Sequence, residues 1–474
     1  MNDVVKLSRL GSLEKLSARL EALGIELPLD AEVEPEGPLA APLRVAGRTL
    51  GNRFAVLPME GWDAGGDGRP SDLVRRRWQR FGASGAKLVW GGEAYAIEPE
   101  GRANPHQLCH NPSSARDLAE LYALLIRSHE RHCVGSDDLL VGLQLTHSGR
   151  FCRPAGVPAP RTGFRHPVLD ARVGISDDSA LLGDAELDDL VGAYARVAGL
   201  ARDAGFDFVD VKACHGYLGH ELLSARERPG AYGGDLAGRS RFLLRAIEAV
   251  RREAPELVVG VRLSTFDLHP FHPDVAGVGV PEPSEHQPFG GSVDGLGVDL
   301  AETHQLLEAL ADAGVAMVCT TAGSPYYNPH AQRPALYPPS DGYRPPEDPL
   351  VGVARQLAAT RELKQRHPRL CFVGSAYTYL QEWLPNVAQA ALRQRGADAI
   401  GLGRMMLSYP EMPRDVLAGE PLERRRVCRT FSDCTTAPRN GLVSGCYPLD
   451  AFYKRRPESA ALAEAKQRAK RAAS

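Results

Sequence analysis

The sequence predicts an α/β chain built on a closed (β/α)8 TIM barrel, with a helical extension before it and a short cysteine-containing tail after it. Three observations predict this. Eight short apolar runs recur along the 474 residues: "NRFAVLPM", "AKLVWGGEA", "LLVGLQLTH", "FDFVDVKAC", "LVVGVRLS", "VAMVCTTA", "LCFVGSA" and "ADAIGLGR". Segments with helical periodicity lie between them, over 71–81, 115–132, 186–203, 238–253, 300–313, 353–366 and 379–395. The runs are continuously apolar rather than alternating, which is the pattern of strands covered on both faces. Eight such repeats favour a closed barrel over an open doubly wound sheet.

Taken in order, residues 1–42 form the extension. Its opening, "MNDVVKLSRLGSLEKLSARLEALGIELP", alternates charge with leucine at helical spacing and reads as an amphipathic helix, not a signal peptide. The barrel is assigned to 43–415, with "LRVAGRTLGN" as a hairpin closing its bottom. The Gly/Pro-rich piece 267–299 and the Pro-rich piece 324–349 follow strands five and six, so they are expected as long loops over the top face, where they shape access to the site. The tail, 416–474, ends in a surface helix.

Composition narrows the function classes. Hydrophobic residues make up 43% and charged residues 24%, as in ordinary globular chains. Lys+Arg number 56 and Asp+Glu 59, so the net charge of −3 offers no attraction to nucleic acid or to an anionic membrane. No apolar run approaches the length that crosses a bilayer. Nine cysteines, an odd number, point to free thiols in a reducing cytoplasm. A homo-oligomer is compatible with all of this, and the expected partner is a small molecule.

In such a barrel the C-terminal ends of the strands share one pocket. Polar residues fall there repeatedly: Glu60, Glu93, Gln144, Lys212 with His215 and Tyr217, Arg262, Ser375 and Arg404. After strands seven and eight come "GSA" and "GLGR". Their glycines let backbone N–H groups approach a phosphate, and Arg404 adds a bidentate donor, although tight turns alone also call for glycine. Arg262 belongs to a buried strand, where an unpaired guanidinium would be costly, so either an ion pair or an electron-rich ring is its partner. Gln144 offers a donor and an acceptor in one plane, suited to the edge of an amide-like heterocycle or to a backbone group at the barrel rim.

"QLTHSGR", "CHGYLGHELLSARERPGAYGG", "RSRF", "VRLS" and "ADAIGLGR", in this order, resemble the successive motifs of the old yellow enzyme family of FMN-dependent oxidoreductases. The resemblance runs from about Asn52 to Pro413. It implies an FMN on the top face, with Pro58, Met59, Glu60, Glu93, Ala94, Gln144 and Arg262 around the isoalloxazine, and Gly374, Ser375, Gly403 and Arg404 at the phosphate. It further implies NAD(P)H as electron donor and reduction of an activated C=C bond, with His215 and Lys212 polarising the acceptor and Tyr217 donating a proton. Lys212 departs from the family pattern, in which histidine or tyrosine is usual at this place. Glu60 also departs from it, so an ion pair between the two is a structural alternative.

Cys428, Cys434 and Cys446 are spaced C-x5-C-x11-C. The longer relatives of this family bind a 4Fe–4S cluster with C-x2-C-x3-C-x11-C. Three thiolates where four are the usual complement indicate a remnant, with no metal expected; a 4Fe–4S cluster completed by Asp433 or an exogenous ligand is the alternative. No G-x-G-x-x-G unit follows Cys446. Two rivals stay open at this level. One is an amine dehydrogenase of the trimethylamine dehydrogenase type, and the other is a flavin-free, phosphate-binding aldolase or isomerase with Lys212 as Schiff-base nucleophile.

Overall fold

The computed structural model describes residues 4–472. Among them, eight parallel strands close into the expected barrel: β1 (Phe54–Val56), β2 (Leu88–Val89, resumed at Ala94–Ala96), β3 (Leu140–Thr146), β4 (Phe208–Val211), β5 (Val258–Ser264), β6 (Met317–Thr321), β7 (Cys371–Gly374) and β8 (Ala399–Leu402). Each strand pairs with its neighbours in sequence, and β8 returns to β1 through Ile400↔Phe54, Gly401↔Ala55 and Leu402↔Val56. β2 is split because its middle bulges. Gly91 has φ +133°, and a Cβ on Gly92 would sit 2.4 Å from the Trp78 ring.

The helices begin where the sequence supplies caps. Ser71 Oγ accepts from the backbone N–H groups of Leu73 and Val74 to start α1 (Asp72–Gly82). α2 (Ser114–His132) and α3 (Asp184–Asp203) follow β2 and β3. Asp235 caps α4 (Leu236–Glu253), and α5 (Ala301–Asp312) follows β5. Asp348 caps α6 (Pro349–Arg366), whose Pro349 occupies the first turn, where no N–H is missed. The helix expected over 379–395 is shorter than its periodicity suggests. Tyr377–Trp383 is 3-10 and broken at Gln381 (φ +53°), and α7 runs only over Leu384–Arg393, with Pro385 confined to its first turn.

The hairpin Leu43–Val45/Arg48–Leu50 closes the bottom as expected: Leu43, Val45 and Leu50 pack against inward residues of the strands, among them Ala55, Leu88, Phe208 and Met317. The extension is α-helical over Leu13–Leu23, between the Ser12 cap and Gly24 at φ +63°, after a 3-10 turn at Leu7–Arg9. Its first three residues, and the last two of the tail, lie outside the described residues. The tail forms α8 (Asp433–Arg439) and, later, Ala451–Lys454 and Glu458–Ala472. Asp450 ties it to α1 by ion pairs to Arg76 at 2.9 Å and Arg80 at 2.5 Å. The tail is thereby set over the top of the barrel.

Candidate active site

β4 shows how the backbone builds the site. Side chains alternate along it, so Val209 and Val211 belong to the layer between barrel and helices, while Asp210 and Lys212 point inward. The chain then turns through His215 (φ +68°) and Gly216 (φ +77°). The left-handed conformation is strained for histidine and is held by three contacts: the His215 N–H donates to Ser264 Oγ (3.1 Å), Ser324 Oγ donates to the His215 carbonyl (2.8 Å), and the Gly216 N–H donates to His220 Nδ1 (2.8 Å). This turn aims His215 and Tyr217 into the cavity above the barrel.

That cavity, about 1210 Å³ of atom-free space open to one side, lies over the C-terminal ends of the strands. Most of the residues expected from the sequence line it. Pro58, Met59 and Glu60 come from the end of β1, Gln144 from β3, Lys212, His215 and Tyr217 from β4, Arg262 from β5, Ser375 from β7, and Gly403 and Arg404 from β8. A side chain at Gly403 would meet only the Met59 sulfur, at 3.3 Å.

At the centre, the Lys212 ammonium lies 3.1 Å from Glu60 Oε1 and 4.2 Å above the centroid of the Tyr217 ring. Glu60 Oε2 accepts from Trp62 Nε1 (3.0 Å) and from the Tyr217 hydroxyl (3.4 Å), which also lies 3.0 Å from the Tyr326 hydroxyl. Burial, with the Glu60 charge and Tyr326 beside it, holds the Tyr217 phenol well above its ordinary range, so it stays a proton donor. Burial, with Arg262 and Lys212 nearby, pushes His215 well below its ordinary range, so the imidazole is neutral.

The cavity is also strongly cationic. Arg333, from the loop after β6, and Arg404 each keep a buried guanidinium nitrogen without a partner, Nη2 and Nη1 respectively, and Arg262 Nε is in the same state. Burial and the neighbouring Arg439 and Arg404 pull Arg333 down to about 9. The unpartnered nitrogens of the Arg333 and Arg404 guanidinium groups, in a cavity also lined by Ser375 and Gly403, fit a phosphomonoester, which supplies both charge and acceptors. At the ring end, Gln144 Nε2 donates to Asp210 Oδ2 (2.5 Å), which leaves Gln144 Oε1 to accept from an imide-like N–H. The residues present therefore fit FMN.

Three expected residues stand apart from this cavity. The Glu93 side chain turns away from it to Arg77 Nη1 (2.8 Å), because Arg77 and Asp63 form a buried ion pair beneath the β2 bulge. Burial pushes the Glu93 carboxyl up to about 8 against the pull of Arg77. Ala94 is buried in the resumed part of β2, and its carbonyl accepts from Gln107 Nε2. At Gly374 a Cβ would approach the Tyr377 hydroxyl at 3.1 Å, so its small size serves packing below the cavity floor. In the tail, Cys434 reaches the cavity while Cys428 and Cys446 are buried. Among the described residues no three His, Cys, Asp or Glu side chains are grouped to hold a metal ion.

The structure adds residues that sequence reasoning missed. Asp210, fully buried, accepts from Gln144 Nε2, from Trp90 Nε1 (2.7 Å) and from the Arg262 N–H (2.6 Å), so one carboxylate positions both ring-side groups. Its signal was present: a lone carboxylate in an apolar strand, two residues before Lys212 and hence on the same face. Tyr326 and Arg333 lie in the Pro-rich loop, and Thr435, Arg439 and Ser444 in the tail, where no periodicity marks which side chains point inward.

Comparison with known proteins bears on this geometry. The family model described as "NADH:flavin oxidoreductase / NADH oxidase family" matches residues 38–279. The chain is similar to an NADPH dehydrogenase of Geobacillus thermodenitrificans, 30% identical over 243 residues, covering 49% of this chain and 64% of that one. An NADPH dehydrogenase of Bacillus velezensis is 28% identical over 283 residues, covering 58% and 76%. Among solved structures, histamine dehydrogenase from Rhizobium sp. 4-9 superposes with TM-score 0.63 at 17% identity over 89% of this chain and 53% of its own. The old yellow enzyme homologue from Zymomonas mobilis gives 0.55 at 21% over 81% and 93%. These last two likenesses concern the fold.

Proposed function

Since the chain belongs to the NADH:flavin oxidoreductase / NADH oxidase family, we propose that it is an FMN-dependent enzyme that takes electrons from NAD(P)H and reduces the C=C bond of an α,β-unsaturated carbonyl compound. FMN, when bound, supplies the two-electron hydride carrier. The observation that carries the reading is the grouping of a neutral phenol, an ammonium and a neutral imidazole in one cavity with Arg262, Arg333 and Arg404.

Lys212 and His215 hold the substrate's carbonyl oxygen and stabilise the negative charge that develops on it. The Tyr217 hydroxyl donates a proton to the α-carbon, and its phenolate is steadied by the ammonium above its ring. Arg262, positioned through its backbone by Asp210, places fixed positive charge beside the ring-binding part of the cavity, where it favours an electron-rich cofactor. Arg333 and Arg404 hold the phosphate. Trp62, Tyr326 and the tail residues Arg439 and Ser444 wall the site and restrict water.

The rivals fit less well. A cationic amine would meet the Lys212 ammonium already lying against the aromatic wall, and an ion-paired ammonium 3% exposed is no Schiff-base nucleophile. All nine cysteines are free thiols, which suits the cytoplasmic setting included in this proposal, and no helix among the described residues is long and apolar enough to cross a membrane. Turnover of 2-cyclohexenone with NADPH in deuterium oxide tests the reading. The expected product is cyclohexanone with solvent deuterium α to the carbonyl. Consumption of NADPH without a saturated product would refute it.

A further inference from the structure

The pair formed by Glu60 and Lys212 suggests a selection rule that the neutral wall alone would not give. We propose that Glu60 is a specificity-determining residue: by neutralising Lys212 inside the cavity it selects uncharged carbonyl acceptors and rejects substrates whose acceptor oxygen is already anionic. This rests on the placement of the acceptor oxygen at Lys212 and His215 under the proposed function, and it names the substrate class of that site.

The selection is electrostatic and local. Lys212 is 3% exposed and Glu60 20%, so the charges act through a poorly screened medium. Glu60 is fixed rather than adaptable. One carboxylate oxygen meets Lys212 Nζ, and the other meets Trp62 Nε1 and faces the Tyr217 hydroxyl. A ligand oxygen reaching Lys212 must therefore come close to a carboxylate as well. A neutral carbonyl takes one of the remaining ammonium N–H groups and acquires charge only as reduction proceeds, when Lys212 and the neutral His215 respond to it. A carboxylate or phenolate brings a full negative charge against Glu60 at the outset, which offsets the attraction of Lys212. The other cations of the cavity, among them Arg262, Arg333 and Arg404, also attract an anion, but they are the same in the unaltered protein and in a Glu60 variant, so their pull cancels when the two are compared.

The test measures calorimetric Kd values on the FMN-loaded protein with two probes of nearly equal shape. One is 4-nitrophenol at mildly alkaline pH, a planar oxyanion, and the other is its neutral methyl ether, 4-nitroanisole. In Glu60→Gln, binding of the phenolate is expected to tighten by about tenfold or more, while binding of the ether stays as in the unaltered protein. Glu60→Asp, which keeps the charge, is expected to behave as the unaltered protein, and Lys212→Met to lose phenolate binding by a similar factor. Adding Lys212→Met to Glu60→Gln is expected to abolish the gain. The proposal is overturned if Glu60→Gln binds the phenolate no more tightly, if both probes change together, or if the double variant keeps the gain. Turnover of 2-cyclohexenone is measured in parallel: its absence, with the phenolate effect intact, sinks the ene-reductase reading and leaves the selection by Glu60 standing.

Discussion

Replacing Tyr217 by phenylalanine is expected to slow reoxidation of the reduced protein by an enone by roughly 10²–10⁴-fold, the usual share of a positioned general acid. Reduction by NAD(P)H should be unchanged. The substitution is close to isosteric, and the ring that carries the Lys212 ammonium remains, so the wall keeps its shape. What disappears is the one hydroxyl that is buried, held in its neutral form and set between Glu60 and Tyr326. Stopped-flow traces of the two half-reactions check this. Equal slowing of both would mean that the hydroxyl orders the site rather than donating the proton.

The second large effect concerns stability. Arg77→Met should destabilise the fold by roughly 3–5 kcal/mol at neutral pH, because it removes the guanidinium that Asp63 and Glu93 both meet and leaves the Asp63 carboxylate buried without a cation. Glu93 gives this region a pH dependence of definite sign. In the folded chain its carboxyl titrates at about 8, against 4.5 for an ordinary glutamate. Between those values the folded state holds a proton that the unfolded state has lost, so this group's contribution to stability falls as pH rises through the window. Denaturant unfolding across that range should show the decline, and Glu93→Gln should flatten it.

How legible the site was depended on what each position is exposed to. Strand interiors are covered on both faces, so the eight apolar runs were readable, and with them the strand ends that carry Gln144, Lys212, Arg262 and Arg404. Glu93 shows the limit of that logic. Being at a strand end gave no information about the bulge at Gly91 and Gly92, which turns the side chain toward Arg77 rather than into the cavity. Asp210 could have been found from its parity with Lys212. Arg333 and Tyr326 could not, since a proline-rich loop has no period and their inward aim depends on long-range contacts, such as that of Arg333 with Thr435 of the tail. The tail illustrates the same point. Its cysteine spacing suggested a degenerate cluster site, while its contribution to the cavity wall comes from Thr435, Arg439 and Ser444, which carry no motif, together with Cys434, which does.

The departure of Lys212 and Glu60 from the pattern of the resembling family was visible in the sequence, and the distance of 3.1 Å between them now gives it a physical form. A neutral hydrogen-bonding wall is replaced by a charge pair of zero net charge, with the phenol of Tyr217 against both members. Family membership fixes the chemistry of the cavity only broadly, and the wall decides what enters it.

Mixing the anaerobically reduced protein with 2-cyclohexenone while following the flavin absorbance decides whether the cavity holds FMN and passes its electrons to an enone. The expected result is a yellow protein with tightly held FMN whose absorbance is bleached by NAD(P)H and returns on mixing, with one saturated ketone formed per flavin. A protein that cannot bind FMN, or one that stays reduced in the presence of the enone, would contradict it.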